Sequence, residues 1–169
     1  MKTNTLPPYK TDAPETGCCP KFDFQPWDNQ EIVFSNMPFV KANTLNFMHI
    51  PLTMGSMMKK TWKKIEDAKA AAKNQWLLLS YDPSPWKGEH YFMVTKKVPV
   101  AENVEITGKF LTKVFEGPYK EVRNWVGEMD DLVSSKGKKL NKLYFFYTTC
   151  PKCAKHYGKN YTVGFAQVE

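Results

Sequence analysis

Arginine is almost missing from this chain. Among 24 basic residues only Arg123 is an arginine, although the net charge is +7. Guanine readout and bidentate clamping of phosphates depend on the arginine fork. Lysines such as Lys59 and Lys63 are followed by acidic residues in a way that is typical of a solvated helix face. The composition therefore argues against a nucleic-acid-binding protein and leaves only a weak anionic partner for the lysine-rich face.

Long apolar runs are also lacking. The chain has no stretch of about 18 apolar residues, and residues 1–10 lack the apolar core of a secretory signal. We therefore expect a cytoplasmic protein that does not enter the membrane. Its 169 residues fit one domain with a sizeable core.

Familiar catalytic signatures do not occur in the sequence. There is no Gly-x-Ser-x-Gly elbow and no phosphate-binding loop. The three histidines, His49, His90 and His156, do not stand in a motif with a serine. Triad hydrolysis and phosphoryl transfer consequently have little support.

What the chain does have is an apparent internal repeat. Trp62 corresponds to Trp125, and Tyr81 to Tyr147, at a nearly constant offset. Each half reads as strand, amphipathic helix, strand and strand, with repeat one at 39–99 and repeat two at 104–168. This pattern predicts an α+β fold with a pseudo-twofold duplicated β-α-β-β repeat, in which two helices pack on one face of an antiparallel sheet. A groove between the helices is the expected ligand site.

Residues 1–38 differ in composition from the rest. Six prolines are expected to prevent long regular elements there, while aromatic residues such as Phe22 and Trp27 are too apolar to remain in water. We predict a proline-rich arm at 1–38 that packs on a ligand-binding domain at 39–169.

The start of the second helix carries a family resemblance. Residues Phe115-Glu116-Gly117-Pro118-Tyr119, the helix around Trp125, the aromatic strand Tyr144–Tyr147 and the closing strand ending at Val168 together resemble the GyrI-like effector-binding domain family. Tyr81-Asp82 and the strand from Tyr91 to Val98 fit the first half of that family. The resemblance covers about residues 39–169, as a stand-alone member.

The resemblance implies a function in small-molecule binding. Members bind lipophilic or aromatic molecules between the two helices, and a subset of stand-alone members hydrolyses strained, cyclopropane-containing compounds. Many relatives have a cleft-facing glutamate in the last strand, where this chain has Val163. Glu89 and Glu116 are the candidates to replace it as catalytic carboxylates, helped by a tyrosine hydroxyl.

Aromatic residues make up 14% of the chain, and many fall where the groove is expected. Stacking on such side chains would hold a flat apolar ligand. The alternative for the two helix tryptophans is ordinary core packing. The candidate ligand-binding residues are Trp62, Trp86, Tyr91, Tyr119, Trp125, Tyr147, Tyr157 and Tyr161.

Four cysteines form two pairs, Cys18-Cys19 and Cys150-x-x-Cys153. The second pair has the spacing of a zinc knuckle or of a redox dithiol. Adjacent Cys18 and Cys19 are expected to supply one ligand more easily than two, which leaves His156 as a fourth. A redox role is weakened because the segment after Cys153 is predicted to lead quickly into a strand instead of a helix. Zinc, redox chemistry and simple packing all stay open.

The favoured function is binding of a small apolar or aromatic molecule, to sequester or detoxify it. The alternative is a hydrolase that adds water to a strained or electrophilic ring.

Overall fold

The computed structural model describes residues 2–9 and 14–169; residues 1 and 10–13 of the predicted arm lie outside this range. The described residues contain three α-helices, α1 (Met54–Asp67), α2 (Val122–Ser135) and α3 (Pro151–Tyr157). The strands are β1 (Glu31–Phe47), β2 (Ile50–Pro51), β3 (Leu78–Ser84), β4 (Lys87–Met93), β5 (Glu102–Glu116), β6 (Leu140–Tyr147) and β7 (Tyr161–Val168). The pairs β1–β2, β1–β4, β3–β4, β5–β7 and β6–β7 are antiparallel. The predicted α+β class is confirmed.

The chain divides into two compact units. Residues 36–107 form the middle unit, and residues 1–35 with 108–169 form the terminal unit. The boundaries fall inside β1 and β5, so both long strands contribute residues to each unit.

In the middle unit, β4 lies between β1 and β3. Phe39 pairs with Met93 and Leu45 with Lys87 on one side of β4, and Leu78 pairs with Phe92 on the other. Helix α1 buries Met57 and Ile65 against Val40 and Phe92 of these strands. Because side chains alternate along a strand, residues next to Phe92 in sequence lie on the opposite face.

In the terminal unit, β7 lies between β5 and β6. Lys109 pairs with Val168, and Tyr147 with Thr162. Helix α2 packs three buried side chains, Trp125, Met129 and Val133, on one face of these strands. Apart from β2 and α3, the middle and terminal units thus have the same element order, with strand orders β1-β4-β3 and β5-β7-β6, while the internal repeat itself stays a prediction.

The other face of the terminal strands is covered by residues that precede β1. The Trp27 side chain is fully buried, with its ring centroid 5.6 Å from Phe146 and 6.2 Å from Phe165. Phe22 and Tyr9 pack beside it, and the Tyr9 hydroxyl donates to the Thr148 carbonyl at 3.1 Å. Aromatic burial therefore anchors this segment inside the terminal unit.

Several element boundaries differ from the prediction. β1 begins at Glu31 and runs through Pro38, so the prolines do not prevent a long strand there. Helix α3 follows directly after Cys150, where a short connection to the last strand was predicted. The predicted end of the closing strand at Val168 is confirmed. No helix within the described residues is long and apolar enough to cross a membrane.

Gly164 sets how closely α2 approaches β7, and this allows a test. An added Cβ at Gly164 would lie 2.6 Å from the Met129 sulfur and 3.0 Å from its Cγ, and Met129 is fully buried. We expect Gly164→Ala to lower the free energy of unfolding by about 1–3 kcal/mol because the core is overpacked. The measurement is urea denaturation.

The matched control is Gly127→Ala in α2, where a new Cβ meets nothing within 4 Å. That change is expected to raise stability by roughly 0.5–1 kcal/mol, because glycine disfavours a helix interior. Equal effects of the two substitutions would contradict the close packing of α2 on β7.

Candidate functional site

Glu89 is a partly buried carboxylate on β4 in the middle unit. Its side chain is 12% exposed, and its Oε2 accepts a hydrogen bond from the Tyr91 hydroxyl at 2.7 Å. The ammonium groups of Lys41 and Lys87 lie 3.2 and 3.5 Å from Oε1. Glu89 and Tyr91 are two residues apart and so share one face of the strand. A carboxylate, a hydroxyl and two cations consequently meet at one position.

Glu116, the other predicted catalytic carboxylate, has different surroundings. It ends β5 in the terminal unit with its side chain 54% exposed, and its nearest described cation is Lys159 at 4.0 Å. Such an exposed ion pair contributes little to stability, because water and salt screen it. Val163, which replaces the glutamate of the family pattern, is fully buried on β7 between Val114 and Phe146.

His90 lies on the opposite face of β4, inside a chain of polar side chains. Its Nδ1 is 2.9 Å from the Ser80 hydroxyl and its Nε2 is 2.9 Å from the Thr44 hydroxyl. Thr44 donates to the Asn46 side-chain oxygen at 2.8 Å, and the Asn46 amide donates to Asp82 at 3.4 Å. Three strands, β1, β3 and β4, supply these residues.

The direction of this chain fixes the proton position on His90. Since the Thr44 hydroxyl gives its proton to Asn46, it can only accept from His90, so Nε2 carries the hydrogen. Nδ1 then accepts the proton of the Ser80 hydroxyl. A serine and a histidine are therefore hydrogen-bonded after all, which sequence reasoning missed.

Gly88 leaves the space that these hydrogen-bonded polar side chains occupy. An added Cβ at Gly88 would lie 2.4 Å from the Thr44 hydroxyl and 3.0 Å from the His90 Nε2. The available signal was polar residues at alternate positions, Thr44 and Asn46 in β1 and Ser80 and Asp82 in β3, together with His90 in β4. A polar stripe of this kind predicts hydrogen bonding across the strands.

Burial determines the charge of this group. His90 is 2% exposed, and burial lowers its pKa to about 4 against the small opposing effect of the Glu89 charge. At neutral pH it is therefore the uncharged imidazole. Burial also raises the pKa of Asp82. The hydrogen bond and charge of His49 and the hydrogen bond of Asn46 act in the opposite direction.

Three of the predicted ligand-binding aromatics form an aromatic row in the terminal unit. The ring centroids of Tyr119 and Tyr147 are 5.4 Å apart, Tyr147 stacks on Phe145 at 6.2 Å, and Phe145 lies 6.5 Å from Trp125. Trp125 in turn stacks on Phe115 at 5.3 Å and is almost fully buried. Tyr119 and Tyr147 are only partly buried, so they are the accessible end of the row.

The other five aromatic candidates are dispersed. Tyr161 stacks on Phe24 at 5.2 Å, and the Tyr157 hydroxyl donates to the Cys19 carbonyl at 2.7 Å. In the middle unit, Trp62 of α1 packs on Trp76, and Trp86 is largely exposed beside Phe47. Tyr91 is the hydrogen-bond donor to Glu89.

A shallow surface hollow of about 230 Å³ lies in the terminal unit, away from all of these residues. It is smaller than the usual ligand pocket of about 300–1,000 Å³. Prolines and apolar residues contribute most of its lining, which includes Leu6, Pro8, Pro26 and Ile32. The hollow therefore adds nothing to the candidate site.

The four cysteines meet in the terminal unit. The sulfur atoms of Cys18, Cys19, Cys150 and Cys153 all lie within 4.8 Å of one another. The predicted fourth ligand, His156, instead lies 3.5 Å from Glu15 and is half-exposed. Both members of the adjacent pair take part, contrary to the expectation that they would supply one ligand.

The close packing of these groups shifts the pKa values of Cys19, Cys153 and the nearby Tyr119 in different directions. Burial raises the pKa of Cys19, and burial together with the adjacent Cys150 and Cys19 raises the pKa of Tyr119 to about 12. Burial acts to raise the pKa of Cys153 as well, but its hydrogen bonds with Thr16 and with neighbouring cysteines outweigh burial and lower that pKa to about 6.

Helix α3 was missed although its ends carry ordinary signals. Pro151 occupies its first turn, and Gly158 ends it in the left-handed conformation with φ of +72°. These are the residues that most often begin and end a helix. The Cys150-x-x-Cys153 pair therefore does open a helix, and the prediction that a strand follows quickly after Cys153 was wrong.

Comparisons with known proteins agree with this architecture. The model of the bacterial hydrolase family matches residues 9–168, so the chain belongs to that family. No curated protein matches the chain.

Solved structures with a similar fold include an uncharacterized conserved protein from Listeria innocua, with a TM-score of 0.62 and 12% identity over 84% of this chain and 92% of that one. A hydrolase from Listeria innocua has a TM-score of 0.59 and 11% identity, covering 85% and 92%. SAV2435 bound to tetraphenylphosphonium has a TM-score of 0.51 and 11% identity, covering 84% and 94%. At these identities the likeness concerns the fold alone.

The buried neutral His90 predicts a pH dependence of stability. Its pKa in the folded protein, about 4, lies below the ordinary value of 6.5, so the unfolded chain binds the proton more readily. The free energy of unfolding should therefore fall by about 3 kcal/mol as the pH decreases from 6.5 to 4. Urea denaturation at several pH values measures the slope.

His90→Gln should remove this part of the slope, since glutamine does not titrate, whereas exposed His156→Gln should retain it. The difference between wild type and the His90 variant isolates this residue from carboxylates that titrate in the same range. An unchanged slope in His90→Gln would show that the imidazole is not held neutral.

Proposed function

We propose that this protein is a hydrolase of small, largely apolar molecules and that Glu89 and Tyr91 carry the chemistry. The observation that carries the proposal is the 2.7 Å hydrogen bond between the Tyr91 hydroxyl and a partly buried Glu89 carboxylate flanked by Lys41. Membership of the bacterial hydrolase family supports a hydrolytic reaction in general terms. The substrate class follows from the sequence resemblance and is the expectation to be tested.

Glu89 would act as the general base. Its carboxylate takes a proton from water while the water oxygen forms a bond to the electrophilic carbon of the substrate. A carboxylate held by a hydroxyl and two ammonium groups keeps one orientation, so that an oxygen lone pair remains directed at the water.

Tyr91 would act as the general acid. When a strained carbon–carbon bond breaks, its electron pair needs a proton, which the Tyr91 hydroxyl provides. The proton gained by Glu89 then returns to the tyrosinate across the same hydrogen bond. The cycle consumes one water and one substrate, yields the ring-opened alcohol and regenerates both side chains. Lys41 would stabilise the negative charge on the phenolate while it lasts.

The test is hydrolysis of a panel of aryl cyclopropane electrophiles and activated aryl esters in oxygen-18 water, with mass spectrometry of the product. We expect Glu89→Gln to lower kcat about 10²–10⁴-fold, since general-base catalysis contributes that much. Tyr91→Phe is expected to lower kcat by a smaller factor and to leave the base in place.

Glu116→Gln is the matched control, because Glu116 is the same residue type in an exposed position. It should retain wild-type kcat and KM. Melting temperatures of all variants establish that they are folded. A Glu89→Gln enzyme with more than half of the wild-type kcat would refute the assignment of the base.

We also propose a second function, binding of an aromatic molecule at the accessible end of the aromatic row. Tyr119 and Tyr147 present partly buried ring faces of the kind that stack with flat ligands. Support of a different kind comes from the structural neighbour SAV2435, which is bound to tetraphenylphosphonium, a cation carrying four phenyl rings.

Binding can be measured by tryptophan fluorescence with tetraphenylphosphonium and with neutral triphenylphosphine oxide as probes. If stacking is the main contribution, Tyr147→Ala should weaken binding of both probes about five- to tenfold, equivalent to about 1–1.4 kcal/mol. Phe47→Ala, an exposed aromatic outside the row, is the control and should bind as wild type. Binding that is lost in Glu89→Gln but not in Tyr147→Ala would instead place the ligand at the carboxylate.

A further inference from the structure

Two distant segments of the terminal unit bring four sulfur atoms together. Cys18 and Cys19 come from the stretch before β1, and Cys150 and Cys153 from the start of α3, more than a hundred residues later. Their sulfurs lie within 4.8 Å of one another, and the Cys18 and Cys19 sulfurs are 3.6 Å apart. Four thiols rarely converge from two segments for packing alone, and one of them, Cys18, is exposed.

The spacing suits a tetrahedral metal ion. With zinc–sulfur bonds of about 2.3 Å, neighbouring sulfurs of a tetrahedral site lie about 3.8 Å apart. The present cluster needs a contraction of about 1 Å at most to reach that geometry. A disulfide would need a sulfur–sulfur distance of about 2.05 Å, and all four cysteines are free thiols.

The surroundings of the sulfurs are organised in the manner of a metal site. The backbone N–H of Cys150 points at the Cys19 sulfur at 3.4 Å, and the Thr16 hydroxyl lies 3.3 Å from the Cys153 sulfur. The Tyr157 hydroxyl and the Thr16 hydroxyl both donate to the Cys19 carbonyl, at 2.7 and 3.2 Å. Gly17, with φ of +67°, allows the turn that brings Cys18 and Cys19 close to Cys150 and Cys153. The bonds to the Cys19 carbonyl fix the backbone that carries this ligand, and the Cys150 N–H offsets part of the charge of the Cys19 sulfur.

We propose that Cys18, Cys19, Cys150 and Cys153 bind one structural zinc ion. The four thiols lose their protons on binding, and zinc replaces them as the positive charge that holds the sulfurs together. Four protein ligands leave no coordination position for water, so the ion has no part in hydrolysis. Its effect is to fasten residues 16–19 to the start of α3, next to Tyr157. The inference is independent of the function proposed for Glu89.

The first measurement is metal content of protein purified without chelators and without affinity tags that bind metal. We expect about one equivalent of zinc. Cobalt substitution should then give the intense thiolate-to-cobalt charge-transfer bands of a tetrahedral site with four sulfur ligands, and zinc should displace them. Less than about a tenth of an equivalent of zinc, together with no cobalt spectrum, would overturn the proposal.

Variants identify the ligands. Cys18→Ser changes the exposed member and should weaken zinc binding at least about tenfold in competition with a chromophoric chelator. His156→Ala is the matched control, because a Cys3His site would lose its zinc in this variant whereas the proposed site keeps it. Should Cys18→Ser fail to fold, the cobalt spectrum of the wild type still distinguishes four sulfur ligands from three. Loss of zinc in His156→Ala, or wild-type affinity in Cys18→Ser, would refute the four-cysteine assignment.

Discussion

The alternation of side chains along antiparallel strands is the constraint on which both middle-unit sites depend. Glu89, His90 and Tyr91 are consecutive, yet β4 sends the histidine to the α1 face and the two others to the opposite face. One short strand therefore carries a charged, lysine-flanked carboxylate on one side and a neutral, hydrogen-bonded imidazole on the other. A register shift of one residue would exchange these two environments and bury the carboxylate against α1.

Local patterns in the sequence were sufficient for most of the architecture. The amphipathic pattern around Trp125 indicated α2, because periodicity is a property of neighbouring residues, and the closing strand was predicted to end at Val168, where β7 ends. Pro38 was misread because a proline is incompatible with a central strand ladder only where its missing N–H is needed. Helix α3 was missed because the short stretch between two strands was read as a connection in spite of its Pro151 and Gly158 signals.

The sites were harder to predict because they are assembled from distant residues. Glu89 and Tyr91 are close in sequence, so a carboxylate–tyrosine pair could be proposed, but nothing local shows that Lys41 completes it. The link from Ser80 through His90 to Thr44 joins three strands and depends on their register. The cysteine cluster was predicted only in outline. The spacing of the cysteines in the sequence does not reveal the conformation at Gly17 that brings both Cys18 and Cys19 to Cys150 and Cys153.

The glycine at position 88 has a consequence for how this sequence can vary. The atoms that occupy the space of its missing side chain belong to Thr44 and His90, which are far apart along the chain. Any side chain at position 88 would displace the Thr44 hydroxyl, and the His90 Nε2 would lose its hydrogen bond. A glycine is therefore required at position 88 for as long as Thr44 keeps its hydroxyl, which is the nearest of these atoms, and replacement of His90 alone would not make room for a side chain.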